Sequence, residues 1–65
     1  MEFFRISLVN GGVYVRMLVY NDTVWYPWTY EYVKKESYTT DRVSQATNFG
    51  TVEEATKWID DHIPR

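Results

Sequence analysis

The one histidine, His62, is the residue of this chain best suited to acid–base or metal chemistry, and it follows two carboxylates, Asp60 and Asp61. Adjacent residues on a helix point in different directions, so these three side chains cannot converge on one ion or one reacting proton. A cation near a helix C-terminus also complements the helix dipole, which is an ordinary structural role. We therefore predict no metal site and no catalytic role for His62.

Nucleophilic catalysis has equally little support in the sequence. Ser7, Ser37 and Ser44 have no second histidine to act as an alternative base, and neither a Gly-x-Ser-x-Gly motif nor a phosphate-binding glycine loop is present. The chain has no cysteine, so it can form neither a disulfide nor a Cys-based zinc site, as is usual in a reducing compartment. The sequence predicts a protein that is not an enzyme and uses no cofactor.

Aromatic residues are the strongest functional signal. Seven of them lie within the nineteen positions from Tyr20 to Tyr38, namely Tyr20, Trp25, Tyr26, Trp28, Tyr30, Tyr32 and Tyr38. Tyr and Trp combine a large apolar body with a polar tip, and both are enriched where one protein binds another. The surplus indicates binding rather than catalysis.

Length and charge limit the class of protein. Sixty-five residues predict a single domain over 1–65, with a small core that benefits from a partner. The formal net charge is −2, so the basic excess of a general nucleic-acid binder is missing. Arg16 interrupts the best apolar run, and the first residues lack the order of a signal peptide. We expect a soluble cytoplasmic protein without a membrane segment.

The N-terminal twenty residues predict a β-hairpin. Phe4, Ile6 and Leu8 alternate with Phe3, Arg5, Ser7 and Val9 in the period of two that a strand requires, and a second alternating run follows from Val13 to Tyr20. Asn10, Gly11 and Gly12 supply the positive-φ residues of a tight turn. A turn at Asn10 and Gly11 would place Arg5 opposite Arg16, whereas a turn at Gly11 and Gly12 would avoid that like-charge pair. The sequence leaves both registers open.

Two further strands are predicted beyond the turn signal at 21–23. Val24 to about Lys35 is rich in Tyr, Trp, Val and Thr and predicts a long third strand, with Pro27 at an outward position or a bulge. Lys34 to Asp41 is polar and predicts a loop or a frayed strand end. Arg42 to Phe49 predicts a fourth strand, although its apolar spacing departs from period two.

The C-terminal segment predicts an amphipathic helix. Thr51 and Glu54 have the spacing of a capping box, and apolar residues recur at helical spacing as far as about Asp61. We expect Trp58 and Ile59 to pack on the hairpin residues Phe4, Ile6, Leu8, Val13 and Val15. The predicted fold class is α+β, with a three- to four-stranded antiparallel sheet and one C-terminal helix on one face.

Residues 40–59 carry a resemblance. The run Ala46-Thr47-Asn48-Phe49-Gly50-Thr51-Val52-Glu53-Glu54-Ala55 within them is similar to an "A-x-x-F-x-T-x-E-E-A" segment of small bacteriophage and prophage proteins. In those proteins the segment joins a short antiparallel sheet to a closing helix. The resemblance implies the same fold and a phage origin, and hence the cytoplasm of a host cell. It implies no catalytic residues.

Strand alternation assigns the aromatic residues to two faces. We expect Tyr26, Trp28, Tyr30 and Tyr32 to share one face of the third strand and to fill the core beneath the helix. The opposite face then has no helix to cover it, and Val33 would lie there too. The predicted binding residues on that face are Phe3, Arg5, Tyr14, Arg16, Leu18, Tyr20 and Trp25, with Tyr14 and Trp25 as anchors.

These residues predict a small protein-binding module, and the resemblance to phage proteins implies a phage-encoded inhibitor that occludes a host protein. A homodimer that stabilises the small core is the other expected use of the same surface. The alternative is a single-stranded nucleic-acid binder, in which aromatic rings stack on bases and Arg5, Arg16, Lys34 and Lys35 contact phosphates.

Overall fold

A four-stranded antiparallel sheet followed by one helix forms the fold of the computed structural model, which describes residues 3–23 and 25–63. The strands are β1 (Phe4–Val9), β2 (Gly12–Tyr20), β3 (Trp28–Val33) and β4 (Thr39–Thr40), and their order in the sheet is β1-β2-β3-β4. A short 3₁₀ helix (Val43–Gln45) precedes the C-terminal helix α1 (Val52–His62). The predicted α+β class, with the N-terminal hairpin first, is confirmed.

The first hairpin turns at Asn10 and Gly11. Both residues have positive φ, 48° and 80°, as a two-residue turn with the twist of the flanking strands requires. The turn sets Leu8 opposite Val13 and Val9 opposite Gly12. Of the two registers that the sequence leaves open, the fold therefore adopts the one with the like-charge arginine pair.

The third strand is shorter than predicted. It begins at Trp28 rather than at position 24 and ends at Val33. Before it, Asn21 closes a loop, because its N–H donates to the carbonyl of Pro27 at 2.7 Å and its Oδ1 accepts from the N–H of Thr23. Pro27 ends this loop, so it interrupts no ladder and needs no bulge. Trp25 and Tyr26 lie in the loop and not in the strand.

The predicted fourth strand over Arg42–Phe49 is wrong. The fourth strand is β4, within the segment predicted as a loop, and the chain then forms the 3₁₀ helix and an irregular stretch. That stretch still completes the sheet, since the N–H of Phe49 donates to the carbonyl of Val13 at 2.7 Å. The Asn48 side chain accepts from the N–H of Val13 at 3.1 Å and so takes the place of strand backbone.

Helix α1 begins and ends close to the predicted positions. Its N-cap, Thr51, has an extended backbone, and Thr51 Oγ1 accepts from the N–H of Glu54 at 3.1 Å. The core beneath it contains the buried residues Val13, Val15, Val33, Phe49 and Ala55, with Phe4, Ile6, Met17, Trp58 and Ile59 packed around them.

One predicted core contact is wrong. Leu8 points toward the side of the sheet that α1 covers, but it lies beyond the helix and is 70% exposed. The predicted contact of Trp58 with Phe4 is present, with ring centroids 5.5 Å apart, and Trp58 also contacts the ring of Phe49 at 5.8 Å. Among the helices of residues 3–23 and 25–63, none is long and apolar enough to cross a membrane.

The N-cap residue Thr51 should contribute measurably to the stability of the protein. Thr51→Ala removes the oxygen that accepts from Glu54, which should lower the free energy of unfolding by about 1 kcal/mol. Thr56→Ala is the matched control, because Thr56 is exposed in the middle of the same helix and Ala is the better helix former there. Urea denaturation followed by circular dichroism measures both. Equal losses in the two variants would contradict the capping role.

Asn48 provides a second test of the fold. Asn48→Ala leaves the N–H of buried Val13 without its acceptor, so the free energy of unfolding should fall by about 1–3 kcal/mol. Asn21→Ala is the control, because Asn21 makes its side-chain hydrogen bonds in an exposed loop, where water replaces them. A smaller loss for Asn48→Ala than for Asn21→Ala would contradict this account of the irregular segment.

Candidate binding face

Within residues 3–23 and 25–63, no helix lies over the side of the sheet away from α1, and most of the aromatic strand residues are on this side. Cross-strand pairing places Tyr20 opposite Trp28, Leu18 opposite Tyr30 and Arg16 opposite Tyr32. Directly opposed residues share a face. We call this side the open face, and its members are Arg5, Ser7, Tyr14, Arg16, Leu18, Tyr20, Trp28, Tyr30 and Tyr32.

The predicted parity of the third strand is therefore wrong. Trp28, Tyr30 and Tyr32 lie on the open face and do not fill the core, whereas Val33, predicted for the open face, is 3% exposed and belongs to the core. Tyr26, predicted with the core residues, is exposed in the loop before β3. The open face has gained three rings that strand alternation alone assigned to the opposite side.

The position of α1 explains the reversal. The helix packs mainly on β1 and β2, so on the covered side of β3 only Val33 becomes buried. Phe4, Phe49 and Trp58 already occupy the space beneath the helix. A core of this size has no room for another Trp and two Tyr, and overfilling a packed core is destabilising.

Tyr30 lies at the centre of a cluster with both arginines of the open face. The Arg5 guanidinium lies 4.9 Å from the centre of the Tyr30 ring, and that of Arg16 lies 5.7 Å from it. Arg16 Nε also donates to Ser7 Oγ at 2.8 Å. Cation–π attraction and this hydrogen bond offset the repulsion of the directly opposed Arg5 and Arg16. The arginine pair is thus held in a defined arrangement.

Two aromatic pairs flank the arginine cluster. The rings of Tyr20 and Trp28 are 4.9 Å apart and tilted, with 56% and 52% of the two residues exposed. At the other end Tyr14 meets Tyr32 edge-on, with ring centroids 6.0 Å apart. Ring pairs of this geometry hold each other in position. The face therefore has paired rings on both sides of a positive centre, exposed at Tyr20 and Trp28 and half-buried at Tyr14 and Tyr32.

The predicted site residues divide into two groups. Arg5, Tyr14, Arg16, Leu18 and Tyr20 lie on the open face. Phe3 adjoins it, because its carbonyl accepts from the N–H of Leu18, while its ring packs edge-on against Phe4.

Trp25 falls outside the face. It lies in the loop before β3 and is 90% exposed, and the anchor position predicted for it is taken by Trp28. Sequence reasoning missed Trp28, Tyr30 and Tyr32. One signal in the sequence could have identified them. Thr29 and Glu31 alternate with these three rings, so one side of the strand carries two polar residues. Such residues suit a side that the helix covers only partly.

The lysines invoked for phosphate contacts lie elsewhere. Lys34 and Lys35 line a cleft of about 240 Å³ between the β3–β4 connection and α1, which Trp58 and His62 also line. The Lys35 Nζ lies 5.1 Å from the centre of the Phe49 ring, and the Lys35 N–H donates to Thr47 Oγ1. Of the four cations proposed for nucleic-acid binding, only Arg5 and Arg16 are on the open face.

His62 has a structural arrangement at the end of α1. Its ring stacks on Trp58 with centroids 4.0 Å apart and 14° between the planes, and its Nδ1 donates to the Trp58 carbonyl at 2.7 Å. Within the part of the chain that the structure describes, no three His, Cys, Asp or Glu residues are grouped so as to hold a metal ion. The ring therefore extends the packing of Trp58.

The charge of the open face differs from that of the whole chain. Among the described strand residues, the open face carries two arginines and no carboxylate, although the net charge of the chain is −2. Glu31 lies on the opposite side of the sheet and accepts from Thr39 Oγ1 at 3.2 Å. The acidic residues Glu53, Glu54, Asp60 and Asp61 are on α1. The sheet thus has a positive face and a helical side that is acidic.

The chain matches no protein-family model, no curated protein and no solved structure. The likeness of residues 40–59 to phage proteins stays a prediction. The functional argument therefore depends on the open face itself.

The open face predicts a contrast between two aromatic residues. Trp28→Ala removes a half-exposed ring that contacts Tyr20, so the free energy of unfolding should fall by only about 1 kcal/mol. Phe49→Ala empties a core position and should cost about 3–5 kcal/mol, enough to unfold much of so small a domain. Thermal denaturation followed by circular dichroism compares them. If Trp28→Ala unfolds the protein as Phe49→Ala does, the open face has been assigned to the wrong side.

Proposed function

We propose that this protein is a binding module without enzymatic activity, and that its open face docks on another protein. The observation that carries the proposal is the cluster of Arg5, Arg16 and Tyr30 between the exposed Tyr20–Trp28 pair and the half-buried Tyr14–Tyr32 pair, on a sheet face that no helix of the described residues covers. Trp, Tyr and Arg are the residues that contribute most of the binding energy in protein interfaces. A surface that concentrates all three supports docking.

The order of the open face favours tight binding. Side chains that are mobile in the free protein lose rotamer freedom on association, at about 0.5–1.5 kcal/mol each. Here Arg16 is held by Ser7 and Tyr30, and Tyr20 is held by Trp28. Much of that ordering already exists before a partner arrives. The face therefore acts as a preformed surface with defined positions for its charges.

The charge of the open face defines the chemistry of the partner. The Arg16 guanidinium is costly to bury in an interface unless the partner supplies acceptors for it, so the partner surface should present carboxylates beside an apolar patch. A face-to-face pair of identical copies would bring the like-charged arginines of two open faces into one interface, which is unfavourable. A different protein with an acidic, apolar surface suits the open face better than a second copy.

Inhibition by occlusion is the biological role that we propose for this binding. A module of this size with no catalytic group acts by covering a surface of its target. The resemblance of residues 40–59 to phage proteins supports a phage-encoded protein that works in the host cytoplasm. The target is then a host protein whose exposed acidic, apolar site is blocked.

Single-stranded nucleic acid is the second candidate, because Arg5 and Arg16 flank the ring of Tyr30. Unpaired bases stack on such rings while adjacent arginines contact phosphates. With Lys34 and Lys35 away from the face, two phosphate contacts are expected. The logarithm of the association constant would then fall with the logarithm of salt concentration with a slope of about −1.4, since each single-strand contact contributes about −0.7.

The proposal predicts that Tyr20→Ala abolishes capture of the target. Tagged protein is incubated with lysate of host cells, and the proteins retained by the wild type are compared with those retained by Tyr20→Ala and Trp28→Ala. Truncating an anchor should cost about 2 kcal/mol, roughly a 30-fold rise in the Kd of the purified complex. Tyr38→Ala is the matched control, since Tyr38 is 68% exposed in the β3–β4 connection.

Three results would decide between the candidates. A protein retained by the wild type and by Tyr38→Ala but lost by both open-face variants supports the proposal. A captured protein that binds all variants equally contradicts it. Recovery of nucleic acid instead, with affinity that falls as salt is added, would favour the second candidate.

A further inference from the structure

The two edges of the sheet are protected to very different degrees. Edge strands present unpaired N–H and C=O groups, and proteins limit pairing there with short strands, prolines, bulges or charges. The edge strand β4 has two residues, and the 3₁₀ helix follows it closely. At the other edge β1 has six residues, contains no proline and carries Arg5 as its one charge. Its pairing with β2 is continuous, so it contains no bulge.

The hydrogen-bonding direction along β1 follows from its contact with β2. The N–H of Leu18 donates to the carbonyl of Phe3, so odd-numbered residues of this strand form the hydrogen-bonded pairs with β2. The N–H and C=O groups of Phe4, Ile6 and Leu8 then point away from the sheet. Within the described residues, β2 is the one strand beside β1. This edge is a regular template for one more strand.

We propose that β1 pairs antiparallel with β1 of a second copy, centred on Ile6, and joins two sheets into one of eight strands. This inference is independent of the function proposed for the open face. It uses the edge of the sheet, so it leaves both open faces exposed on the same side of the enlarged sheet. The dimer would present the two binding faces side by side.

The register follows from the charges and the length of the strand. In an antiparallel pair, two directly opposed residues either both bond to each other or both point their backbone groups away. The two-fold axis of the dimer must therefore pass beside one residue of β1, which is opposed by the same residue of the second copy. A centre at Arg5 opposes two arginines, which is unfavourable. A centre at Ser7 pairs only residues 5–9. A centre at Ile6 pairs all of residues 3–9 and sets Arg5 opposite Ser7 of the second copy.

The exposure of Leu8 also supports the register centred on Ile6. It lies beyond α1 on the covered side of the sheet and is largely exposed in the single chain. The centre at Ile6 places Leu8 opposite Phe4 of the second copy, which already packs on Trp58. Each copy then extends the apolar cluster of the other across the joined edge. The small core of this chain gives such an extension particular value.

Leu8→Lys tests the edge pairing in solution. Sedimentation over a concentration series should give twice the 7.8 kDa mass of the chain for the wild type and a single mass for Leu8→Lys. Tyr38→Lys is the matched control, because Tyr38 is equally exposed away from this edge, and it should remain dimeric. Circular dichroism checks that each variant is folded.

Three outcomes of this experiment would overturn the proposal. One is a wild type that is monomeric throughout the series. Another is a dimer that Leu8→Lys does not weaken. The third is a dimer that Trp28→Ala dissociates while Leu8→Lys does not, since the second copy would then occupy the open face.

Cysteine cross-linking tests the register without disturbing the edge. The chain has no cysteine, so single Arg5→Cys and Ser7→Cys variants report only on the introduced pair. Opposed residues without mutual hydrogen bonds are close enough for a disulfide. Mild oxidation should link an equimolar mixture of the two variants several-fold more than either variant alone. Dominant linkage within Arg5→Cys alone, or within Ser7→Cys alone, would reject the centre at Ile6.

Discussion

A single eleven-residue helix has to cover a four-stranded sheet, and this limited cover governs the rest of the structure. Because α1 packs mainly on β1 and β2, the core closes around Val13 and Val15, with Phe49 and Trp58 supplying the large rings. The aromatic residues of β3, Trp28, Tyr30 and Tyr32, therefore lie outside this core. The open face is the consequence, and the same shortage of cover leaves Leu8 exposed at the edge.

The open face has a defined charge arrangement as well as apolar surface. The opposition of Arg5 and Arg16 would weaken the hairpin if each guanidinium faced the other alone. Both guanidinium groups instead lie close to the Tyr30 ring, and Ser7 Oγ accepts a hydrogen bond from Arg16. These contacts offset the repulsion and hold the two positive charges in a defined arrangement. Among the described residues of α1 and the strands, the carboxylates lie on α1 and on the covered side of the sheet. An acidic partner fits the open face for this reason, while a second copy fits the β1 edge, where the one charge, Arg5, is placed opposite Ser7.

Local sequence signals predicted the elements that depend on neighbouring residues. A tight turn somewhere in Asn10–Gly12, the cap at Thr51 and the periodicity of α1 all follow from residues close together in the chain, although the choice of Asn10 and Gly11 as the turn does not. The third and fourth strands were predicted less well. A run of β-favouring residues predicted a third strand four residues too long at its start, and the apolar residues up to Phe49 were read as a strand. Asn48 shows why, since its side chain replaces backbone in pairing with β2.

The sequence by itself determined the α+β class, the presence of a tight turn within Asn10–Gly12, the helix and the aromatic surplus, because each depends on composition or on spacing within one element. Only the tertiary structure decided which side of β3 faces the core. A one-residue shift in the register with which a strand pairs moves every one of its side chains to the other face, and the register of β3 is set by its pairing with β2. The tertiary fold also decided that Trp28 takes the place expected for Trp25. Phe4, Phe49 and Trp58 already fill the space beneath α1. The volume that a helix distant in sequence leaves for a strand cannot be predicted from the local pattern of that strand.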